Sequence, residues 1–384
     1  MKFSDLSSIS PIDGRYSKLV TELQDIFSEY GLIKYRIFVE IEWFIHLSCQ
    51  LNIKELPKLT KTSANSLRAI HNEFNLKEAK KVKNIEKKTN HDVKAVEYYL
   101  KNKLSESKQL SGLSEFIHFC CTSEDINNIS YALMVRDASE LLISSHTKNL
   151  NALLKRKAHL YASIPMLSRT HGQAATPTTV GKELANFSSR IDRITRDIVD
   201  TRLSGKMNGA VGNYNAHLVA YPKVNWEKIS KTFVQNLNLD WSPYTTQVEP
   251  KDNMAKLFHA HGRLNNVLLD LSRDLWGYIS LDYFSQTFSN KEVGSSTMPH
   301  KINPIDFENA EGNLGMANSM FHHLASKITV SRWQRDLSDS TSMRNIGICF
   351  SYTLIAMTSL VKGLNKLEIN RKVIKHNLDN SWEI

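Results

Sequence analysis

Cysteine is scarce in this chain and poorly spaced for cross-linking. The 384 residues contain four cysteines, two of them the neighbours Cys120 and Cys121, and none belongs to a CxxC pair. Such an arrangement does not suit a disulfide framework. The N-terminal residues also lack the apolar segment of a secretory signal. We therefore expect a protein of the reducing cytoplasm.

The motifs of several common chemistries are missing as well. The sequence contains no HExxH pair, no Walker loop and no G-x-S-x-G elbow. Its histidine pairs, His259/His261 and His322/His323, lack the spacing of a helical metal pair. The glycines at 209 and 212 do not match the GxGxxG dinucleotide pattern. We therefore expect no metal and no other cofactor.

Long hydrophobic runs are also few. No apolar run approaches the ~20 residues of a membrane span, so the sequence predicts no membrane attachment. With 41% hydrophobic and 23% charged residues, the composition is that of a globular protein large enough for two or three domains.

The formal net charge of +10 raises the question of nucleic-acid binding. Much of the excess lies in residues 77–108, where lysines alternate with glutamates and asparagines in a helix-like pattern. This pattern favours a solvated helical face over a nucleic-acid surface, and no nucleic-acid-binding motif accompanies it. We expect no nucleic-acid partner. The basic balance still suits a small anionic substrate.

Apolar residues recur at three- and four-residue spacing over unusually long stretches, namely 31–49, 130–162, 178–203, 256–284, 307–326 and 345–366. Strand-like alternation is scarce. This pattern predicts an all-α fold with a bundle of long helices at its centre, flanked by smaller helical domains.

A Lys/Ser-rich break near 105–114 suggests a division of the chain into three parts. We expect an N-terminal helical domain over 1–111, the central bundle over 112–364, and the start of a further helical domain over 365–384. The last part ends abruptly after an aromatic and an apolar residue, so a truncated C-terminal domain is expected.

The most informative segment covers residues 294–308. Ser295 and Ser296 lie in a glycine-flanked loop, and Lys301 precedes a predicted helix start. Asn303 is a good N-cap, and Pro304 suits the first helical position. A hydroxyl loop beside a cation and a helix N-terminus suits anion binding followed by proton chemistry. The alternative is a simple Ser/Gly/Pro connection between helices.

A second candidate is His171, which precedes Gly172 in a polar turn. Thr176 followed by Pro177 predicts a helix start, which would place His171 just outside that helix. A lone loop histidine is more often a surface residue, so this position taken by itself does not indicate a function.

Three more turns present polar groups at predicted helix starts. Thr122 and Ser123 offer two hydroxyls there, and residues 89–92 form another capped start, where capping and ligand binding are equally good explanations. Residues 11–16 form a turn that projects Arg15. Residues 332–344 concentrate three arginines with hydroxyls, which suits phosphate or carboxylate binding, or else a salt-bridged surface.

The pattern Ser-Ser-x-Met-Pro-x-Lys-x-Asn-Pro at 295–304 resembles the signature of the fumarase/aspartase lyase superfamily. Within that superfamily, almost the whole chain resembles the adenylosuccinate lyase family. The segments that carry this likeness are 10–16, 89–92, 122–125, 170–173, 209–214 and 333–337. Argininosuccinate lyases share the central signature and form the nearest alternative.

The resemblance implies a fumarase/aspartase-like all-α fold and an activity. The activity is cleavage of adenylosuccinate to AMP and fumarate, together with the parallel cleavage of succinyl-aminoimidazole-carboxamide ribotide, by anti β-elimination. The resemblance also implies a homotetramer in which each active site is shared between subunits, and small nucleotide substrates as partners.

The resemblance further assigns roles to residues. It makes Ser295 the base and His171 the acid, while Lys301 and Asn303 hold the carboxylate that accumulates charge. Glu308 would orient the site, or would only cap its helix. A further group would bind substrate, namely Arg15, Tyr16, Asn90, His91, Asp92, Thr122, Ser123, Gln247, Ser296, Asn309, Arg335, Ser340 and Arg344.

Within that group, Thr122, Ser123 and Gln247 would contact the succinyl or base portion, and the nucleotide phosphate would lie near His91. The other residues that would hold the nucleotide are Arg15, Tyr16, Arg335, Ser340 and Arg344.

Two hypotheses from other classes remain. The first is a serine hydrolase that uses Ser295 as its nucleophile, against which the missing elbow counts. The second is a non-catalytic basic helical protein that binds nucleic acid, and tight, steeply salt-dependent binding would distinguish it.

Overall fold

The structure is a computed structural model that describes residues 5–287 and 302–382. Ser295, Ser296 and Lys301 lie outside the described residues, as does Gly294, which the sequence suggests as a hinge.

Fifteen α-helices make up most of the described chain. In order they are α1 Thr21–Phe27, α2 Glu29–Gln50, α3 Lys61–Asn72, α4 Leu76–Thr89, α5 Asp92–Ser105, α6 Ser123–Leu141, α7 Lys148–Leu160, α8 Val180–Val199, α9 Asn215–Ala220, α10 Trp226–Asn236, α11 Asp252–Ser280, α12 Ile305–Lys327, α13 Ser338–Met343, α14 Ile346–Lys366 and α15 Arg371–Asp379. The predicted all-α class and the six long helices are confirmed, with ends that shift by a few residues.

Five helical rods form the centre of the molecule. A π-helical turn, Leu142–Thr147, joins α6 to α7, so that the two make one long rod. Around the bundle, α7 packs on α8, α8 on α11, α11 on α12, α12 on α14, and α14 returns to α7. The ring closes because each helix has an apolar face wide enough to contact two neighbours.

Aromatic side chains fill part of this bundle. Phe258, Phe321 and Phe350 lie against one another, and the rings of Phe321 and Phe350 pack on His261. Burial lowers the pKa of His261 to about 3, so the ring is neutral at physiological pH. The Nε2 atom of His261 lies 2.8 Å from Ser139 Oγ on α6. A hydrogen-bonded histidine therefore joins two rods of the core.

Among the described residues, one helical stretch passes a length and composition test for crossing a membrane. It is Ser338–Lys366, with α14 as its main part, and two thirds of its most apolar window is buried inside the protein. The sequence pattern missed this run because scattered Ser, Thr and Gly residues interrupt it. Its apolar side chains pack on α12 and α7 in the bundle, as expected for a core helix.

Further helices pack around this bundle. The long helix α2 packs along α6, α4 and α5 form a hairpin against α2, and the short helix α15 packs on β1 beyond the end of α7. A 3-10 turn, Ser111–Phe116, leads from this unit to α6. The domain division near residues 111 and 364 stays a prediction.

Three small two-stranded sheets were not expected. β1 Pro165–Thr170 pairs antiparallel with β2 Gln173–Thr179, β3 Ser204–Gly205 pairs parallel with β4 Asp240–Trp241, and β5 Phe284–Gln286 pairs antiparallel with β6 Leu367–Ile369. The two-residue strands leave almost no period-2 signal in the sequence.

The predicted helix start at Thr176 and Pro177 is wrong. Both residues belong to β2, and α8 begins at Val180 after Thr179, whose side chain accepts the N–H of Lys182. Pro177 is tolerated because it lies opposite Leu167, beside an irregularity in the pairing of a two-stranded hairpin. His171 therefore lies in a β-turn rather than beside a helix.

The start of α12 also differs from the prediction by one position. The helix begins at Ile305, and Pro304 is its N-cap with φ −78° and ψ 48°. Asn303 therefore precedes the cap instead of forming it. Asp306 and Glu308 do lie in the first turn, as predicted.

Candidate functional site

The predicted site residues fall at two ends of the bundle and at one place between them. We call the end with Thr122, Gln247, Arg335 and Arg344 the arginine end. The other end carries His171, Asn303 and Glu308, and we call it the hairpin end.

Arg335 gathers several predicted residues at the arginine end. It donates from Nη1 to Gln247 Oε1 at 2.9 Å and from Nη2 to Ser340 Oγ at 3.2 Å. Gln247 in turn donates from Nε2 to the carbonyl oxygen of Ala210 at 2.9 Å. The structure thus brings Gln247 together with Arg335 and Ser340, from which it is far apart in the sequence.

The start of α6 lies beside this arginine. Arg335 Nη2 is 3.5 Å from Glu124 Oε1, and Glu124 is buried directly after the predicted residues Thr122 and Ser123. Lys251 Nζ approaches the same carboxylate at 4.0 Å. The half-buried Thr122 and Ser123 hydroxyls are therefore held next to two cations, at a helix N-terminus that favours negative charge.

A buried ion pair fixes the loop that faces α6. Asp125 Oδ1 lies 3.0 Å from Lys206 Nζ, and both side chains are fully buried. The carboxylate also accepts the N–H groups of Thr122, Asn208 and Gly209. These bonds satisfy a charge that would otherwise be costly to bury. They set the position of the turn that carries Thr122.

Glycine is required at two places in that loop. Gly209 and Gly212 have φ values of +85° and +79°, a region that other residues rarely adopt. A Cβ at Gly212 would also lie 2.2 Å from the carbonyl oxygen of Thr245. The 209–214 segment is thus a compact turn, not a dinucleotide loop.

The second arginine of this end meets the predicted acidic residue Asp92. Arg344 Nη2 lies 2.7 Å from Asp92 Oδ2, and its Nη1 lies 2.9 Å from Glu29 Oε2. Asp92 Oδ2 also receives Arg36 Nη2 at 2.8 Å. Burial would raise the pKa of Asp92, but the charges of Arg36 and Arg344 hold it below its usual value.

Residues 89–92 form the capped start that the sequence predicts. Asn90 ends α4 in the left-handed region, and His91 caps α5 through Nδ1, which accepts the N–H of Lys94 at 3.2 Å. His91 is half-exposed at its side chain and lies one residue from Asp92. The cap explains its position, and its outer edge remains accessible.

A third group lies between the two ends. Asn309 donates from Nδ2 to Tyr16 Oη at 3.1 Å and accepts from Ser359 Oγ at 2.8 Å. Arg15 is exposed next to the Tyr16 ring. Ser359 is in the second half of α14, so this group lies well along the bundle from Arg344.

His171 occupies the tip of the β1–β2 hairpin. His171 and Gly172 form a two-residue turn with φ values of +54° and +76°, which is the geometry of a type I′ turn. The His171 ring is exposed, and it has no hydrogen-bond partner within residues 5–287 and 302–382. It is presented to whatever approaches the hairpin from outside.

Glu308 does not contact His171 in this chain. Its Oε1 accepts a hydrogen bond from Trp276 Nε1 at 3.0 Å, and both groups lie on the surface. A role of Glu308 in orienting the site is therefore not supplied by a contact to His171 of the same chain.

The two ends are far apart. Helices α6 and α7 have 19 and 13 residues and are joined by the six-residue π-helical turn. At ~1.5 Å per residue this rod is about 55 Å long. Thr122 precedes its first residue, and the hairpin follows its last. A single chain therefore keeps His171 away from Arg335.

Sequence reasoning missed four residues that organise the arginine end, namely Arg36, Glu124, Asn127 and Lys251. One signal was present for Arg36, because it and Glu40 interrupt the apolar face of α2 at four-residue spacing. Buried charges on an apolar stripe indicate partners elsewhere in the fold. Lys251 gave no such signal.

Metal chemistry finds no support among the described ranges. They contain no group of three or more His, Cys, Asp or Glu side chains that could hold a metal ion.

Two family models match the chain. A model described as "Lyase" matches residues 14–318, and one described as "Adenylosuccinate lyase C-terminal" matches residues 331–384. Together they account for most of the length.

Curated relatives match over the whole chain. Adenylosuccinate lyases from Buchnera aphidicola subsp. Schizaphis graminum and from Escherichia coli K12 are 53% and 52% identical over 384 residues. One from Vibrio cholerae is 51% identical over 385 residues. In each case the match covers 100% of this chain and 84% of the relative.

Solved structures support the same fold. A fumarate lyase from Mesorhizobium sp. BNC1 matches with a TM-score of 0.76 at 17% identity, over 94% of this chain and 78% of that one. A β-carboxy-cis,cis-muconate cycloisomerase from Acinetobacter calcoaceticus matches with a TM-score of 0.73 at 16% identity, over 95% and 80%. At this identity the likeness shows the fold alone.

Proposed function

The chain belongs to the adenylosuccinate lyase family, and from that premise we propose how its residues carry out the family's reaction. The reaction is cleavage of adenylosuccinate to AMP and fumarate, and the matching cleavage of succinyl-aminoimidazole-carboxamide ribotide. The observation that carries this function is the identity of more than half to adenylosuccinate lyases along the whole chain. The curated relatives described above do not support an argininosuccinate lyase or a serine hydrolase.

The elimination requires a base, an acid and a clamp for negative charge. A C–H bond next to a carboxylate breaks, and the proton passes to Ser295. The electron pair is held on that carboxylate by Lys301 and Asn303, which would stabilise the doubly negative intermediate. The C–N bond then breaks as the C=C bond of fumarate forms. His171 gives its proton to the departing nitrogen on the opposite side.

The arginine end suits the nucleotide. Arg335 and Arg344 offer guanidinium groups that match phosphate oxygens, and Gln247, Thr122 and Ser123 offer amide and hydroxyl groups close to Arg335 for the base or succinyl portion. Arg15, Tyr16 and Asn309 lie well along the bundle from Arg344, so they would complete the contacts from another subunit. The bonds of Arg335 to Gln247 and Ser340 support this assignment, since they orient the guanidinium before a ligand arrives.

A complete site needs more than one chain. The ~55 Å rod separates Thr122 from His171, while the reacting atoms of one succinyl group lie within a few ångströms of each other. We propose a homotetramer in which the arginine end of one subunit meets the hairpin end of another. The exposed position of His171 at a hairpin tip supports this arrangement, because a neighbouring chain can reach it.

The test is a spectroscopic assay of adenylosuccinate loss together with detection of fumarate. We expect Ser295→Ala and His171→Ala each to remove most of the turnover while AMP still binds. Ser289→Ala and His159→Ala are matched controls. Ser289 precedes Ser295 by six residues in the sequence, and His159 is an exposed histidine at the end of α7. Full turnover in both site variants would disprove the assigned roles.

The serine-hydrolase alternative is checked with the same proteins. A phosphonylating probe should leave Ser295 unlabelled in the wild type, because the proposed base forms no covalent intermediate. Stoichiometric labelling that is lost in Ser295→Ala would instead favour a nucleophile.

A further inference from the structure

We propose that Arg36 is a positioning residue that holds Arg335 and Arg344 together as one anion-binding unit. The inference rests on the proposed function and deepens it, because it assigns the support of the site that receives the nucleotide phosphate. Arg36 itself is buried and would not touch the ligand.

Arg36 is linked to Arg344 through Asp92. Arg36 lies on α2, Asp92 at the start of α5, and Arg344 just before α14. Asp92 Oδ2 accepts from Arg36 at 2.8 Å and from Arg344 at 2.7 Å. Arg36 thus holds the carboxylate that holds Arg344.

Arg36 is also linked to Arg335, through Asn127 and Glu124. Arg36 Nε donates to Asn127 Oδ1 at 2.9 Å, and Asn127 Nδ2 donates to Glu124 Oε1 at 3.3 Å. The same Glu124 oxygen lies 3.5 Å from Arg335 Nη2. Arg36, Asn127 and Glu124 are all buried, so water competes little for these bonds.

The charges of this network balance, with four cations and four acids. Asp92 is shared between Arg36 and Arg344, and Glu124 between Arg335 and Lys251. Glu29 also pairs with Arg344, and Asp339 with Lys251. The network therefore contributes orientation rather than excess charge, and it holds two guanidinium groups whose forks match phosphate oxygens.

Pre-orientation is what the network would contribute to binding. Arg344 is the more exposed of the two arginines, with 43% of its side chain accessible. A free arginine loses side-chain conformational freedom when it is fixed. Because Asp92 already holds Arg344, and Arg36 holds Asp92, less of this cost falls on ligand binding.

Two of the three guanidinium nitrogens of Arg36 make these links. Nε donates to Asn127 and Nη2 to Asp92, whereas the buried Nη1 has no hydrogen-bond partner among the described residues. An unsatisfied buried donor is unfavourable, so the loss of either link would leave Arg36 with a second such group.

The experiment compares the binding of AMP and of adenosine, which lacks the phosphate, to the wild type and to Arg36→Gln. We expect AMP affinity to fall about 10–100-fold, by analogy with the loss seen when a partner that orients a metal ligand is removed. Adenosine affinity should change less than about twofold. The KM for adenylosuccinate should rise more than kcat falls, because the loss is in binding.

Arg68→Gln is the matched control. Arg68 also binds a carboxylate of α2, Glu42, at 2.6 Å, but it lies on the surface outside the network. Its removal should leave AMP affinity unchanged. Unchanged AMP affinity in Arg36→Gln would overturn the proposal. An equal loss of AMP and adenosine would do so too, because it would indicate a merely structural role.

Asn127→Ala keeps the test decisive if Arg36→Gln does not fold. It cuts the link to Glu124 and leaves Arg36 bound to Asp92. The double variant of Asn127→Ala and Arg335→Gln should lose AMP affinity by a factor smaller than the product of the factors for the two single variants. Combined with Arg15→Gln, which lies outside the network, the two effects should multiply. Multiplicative effects in both pairs would contradict the inference.

The outcome is separable from that for the proposed function. If the wild type fails to cleave adenylosuccinate, the proposed function fails first. If the wild type cleaves it and Arg36→Gln keeps its KM and its AMP affinity, the role of Arg36 alone is wrong.

Discussion

Thr122 and His171 lie at opposite ends of one continuous helical rod. Thr122 directly precedes α6, and His171 follows the end of α7 by way of β1. At ~1.5 Å per residue the rod between them is about 55 Å long. A small substrate that contacts both residues must bind between different chains. This relationship leads to the first prediction.

Two inactive variants should restore each other when their subunits are mixed. We expect Arg335→Ala and His171→Ala to be nearly inactive alone, because each damages a different end of the chain. In a randomly mixed tetramer about a quarter of the sites would combine an arginine end that keeps Arg335 with a hairpin end that keeps His171. The rate of adenylosuccinate cleavage after the two variants are refolded together measures this restoration.

The control for mixing uses two residues of the same end. Arg335 and Gln247 are hydrogen-bonded within one chain at 2.9 Å, so a mixture of Arg335→Ala and Gln247→Ala should stay at the level of the single variants. If the first mixture also stays there, sites shared between the two ends are ruled out.

Replacement of Gly172 should damage catalysis more than stability. A Cβ at Gly172 would meet open space, so the cost comes from its φ of +76° alone, and it is ~1–2 kcal/mol for a side chain other than Asn or Asp. Gly172→Val should reshape the turn and displace His171, which lowers kcat while AMP affinity is kept. Gly172→Asn is the control, because Asn tolerates this conformation, and it should retain most of kcat.

Removal of one partner of the Asp125–Lys206 pair should destabilise the protein strongly. Both side chains are fully buried, so Lys206→Met leaves an uncompensated carboxylate, which typically costs about 3–5 kcal/mol. Thermal or chemical unfolding at fixed protein concentration measures the loss. Lys155→Met is the control, because the Lys155–Asp192 pair is half-exposed and should contribute less than about 1 kcal/mol.

The His118–Glu40 pair should make stability depend on pH. Burial would lower the pKa of His118, but the charge and hydrogen bond of Glu40, with Nδ1 to Oε1 at 2.6 Å, raise it above its ordinary value. A raised pKa contributes stability that is complete below about 6.5, the ordinary value of histidine. That contribution is lost as the pH rises through the folded-state pKa.

Comparison of the wild type with His118→Gln measures this pH-dependent contribution of His118 to stability. The Tm advantage of the wild type over His118→Gln should be largest near pH 6 and should shrink as the pH rises above neutrality. In a Glu40→Gln background the advantage at low pH should be lost or reversed, because burial then lowers the pKa of His118 without the opposing charge of Glu40. Glu97 and Asp125 also act on His118, in the same direction and more weakly.

Helix positions could be predicted well from the sequence, while the short strands could not. A stretch such as 345–366 repeats its apolar residues at helical spacing over many turns, so the local pattern is redundant, and α14 covers Ile346–Lys366. β2 contains Thr176-Pro177, which also fits a helix start. The choice between the two structures depends on pairing with β1, and this is a non-local interaction.

For the site, the sequence supplied residue types and motifs but not their grouping. Arg335 and Arg344 form one cluster in the sequence, yet they turn to different partners, Gln247 on one side and Asp92 on the other. Arg36 and Asn127, which connect these partners, lie on α2 and α6 and carry no motif. Their roles depend on how α2 packs along α6.

The sequence by itself determined the family, the helical class and the candidate chemistry, because these follow from local patterns and from a long specific signature. Only the tertiary structure decided which residues share a place. It placed His171 at the tip of a hairpin and joined Arg335 and Arg344 through one network of buried side chains. It also separated His171 from these two arginines by the length of the bundle. Side chains far apart in a sequence meet through helix packing, and helix packing is set by the whole apolar surface of the chain.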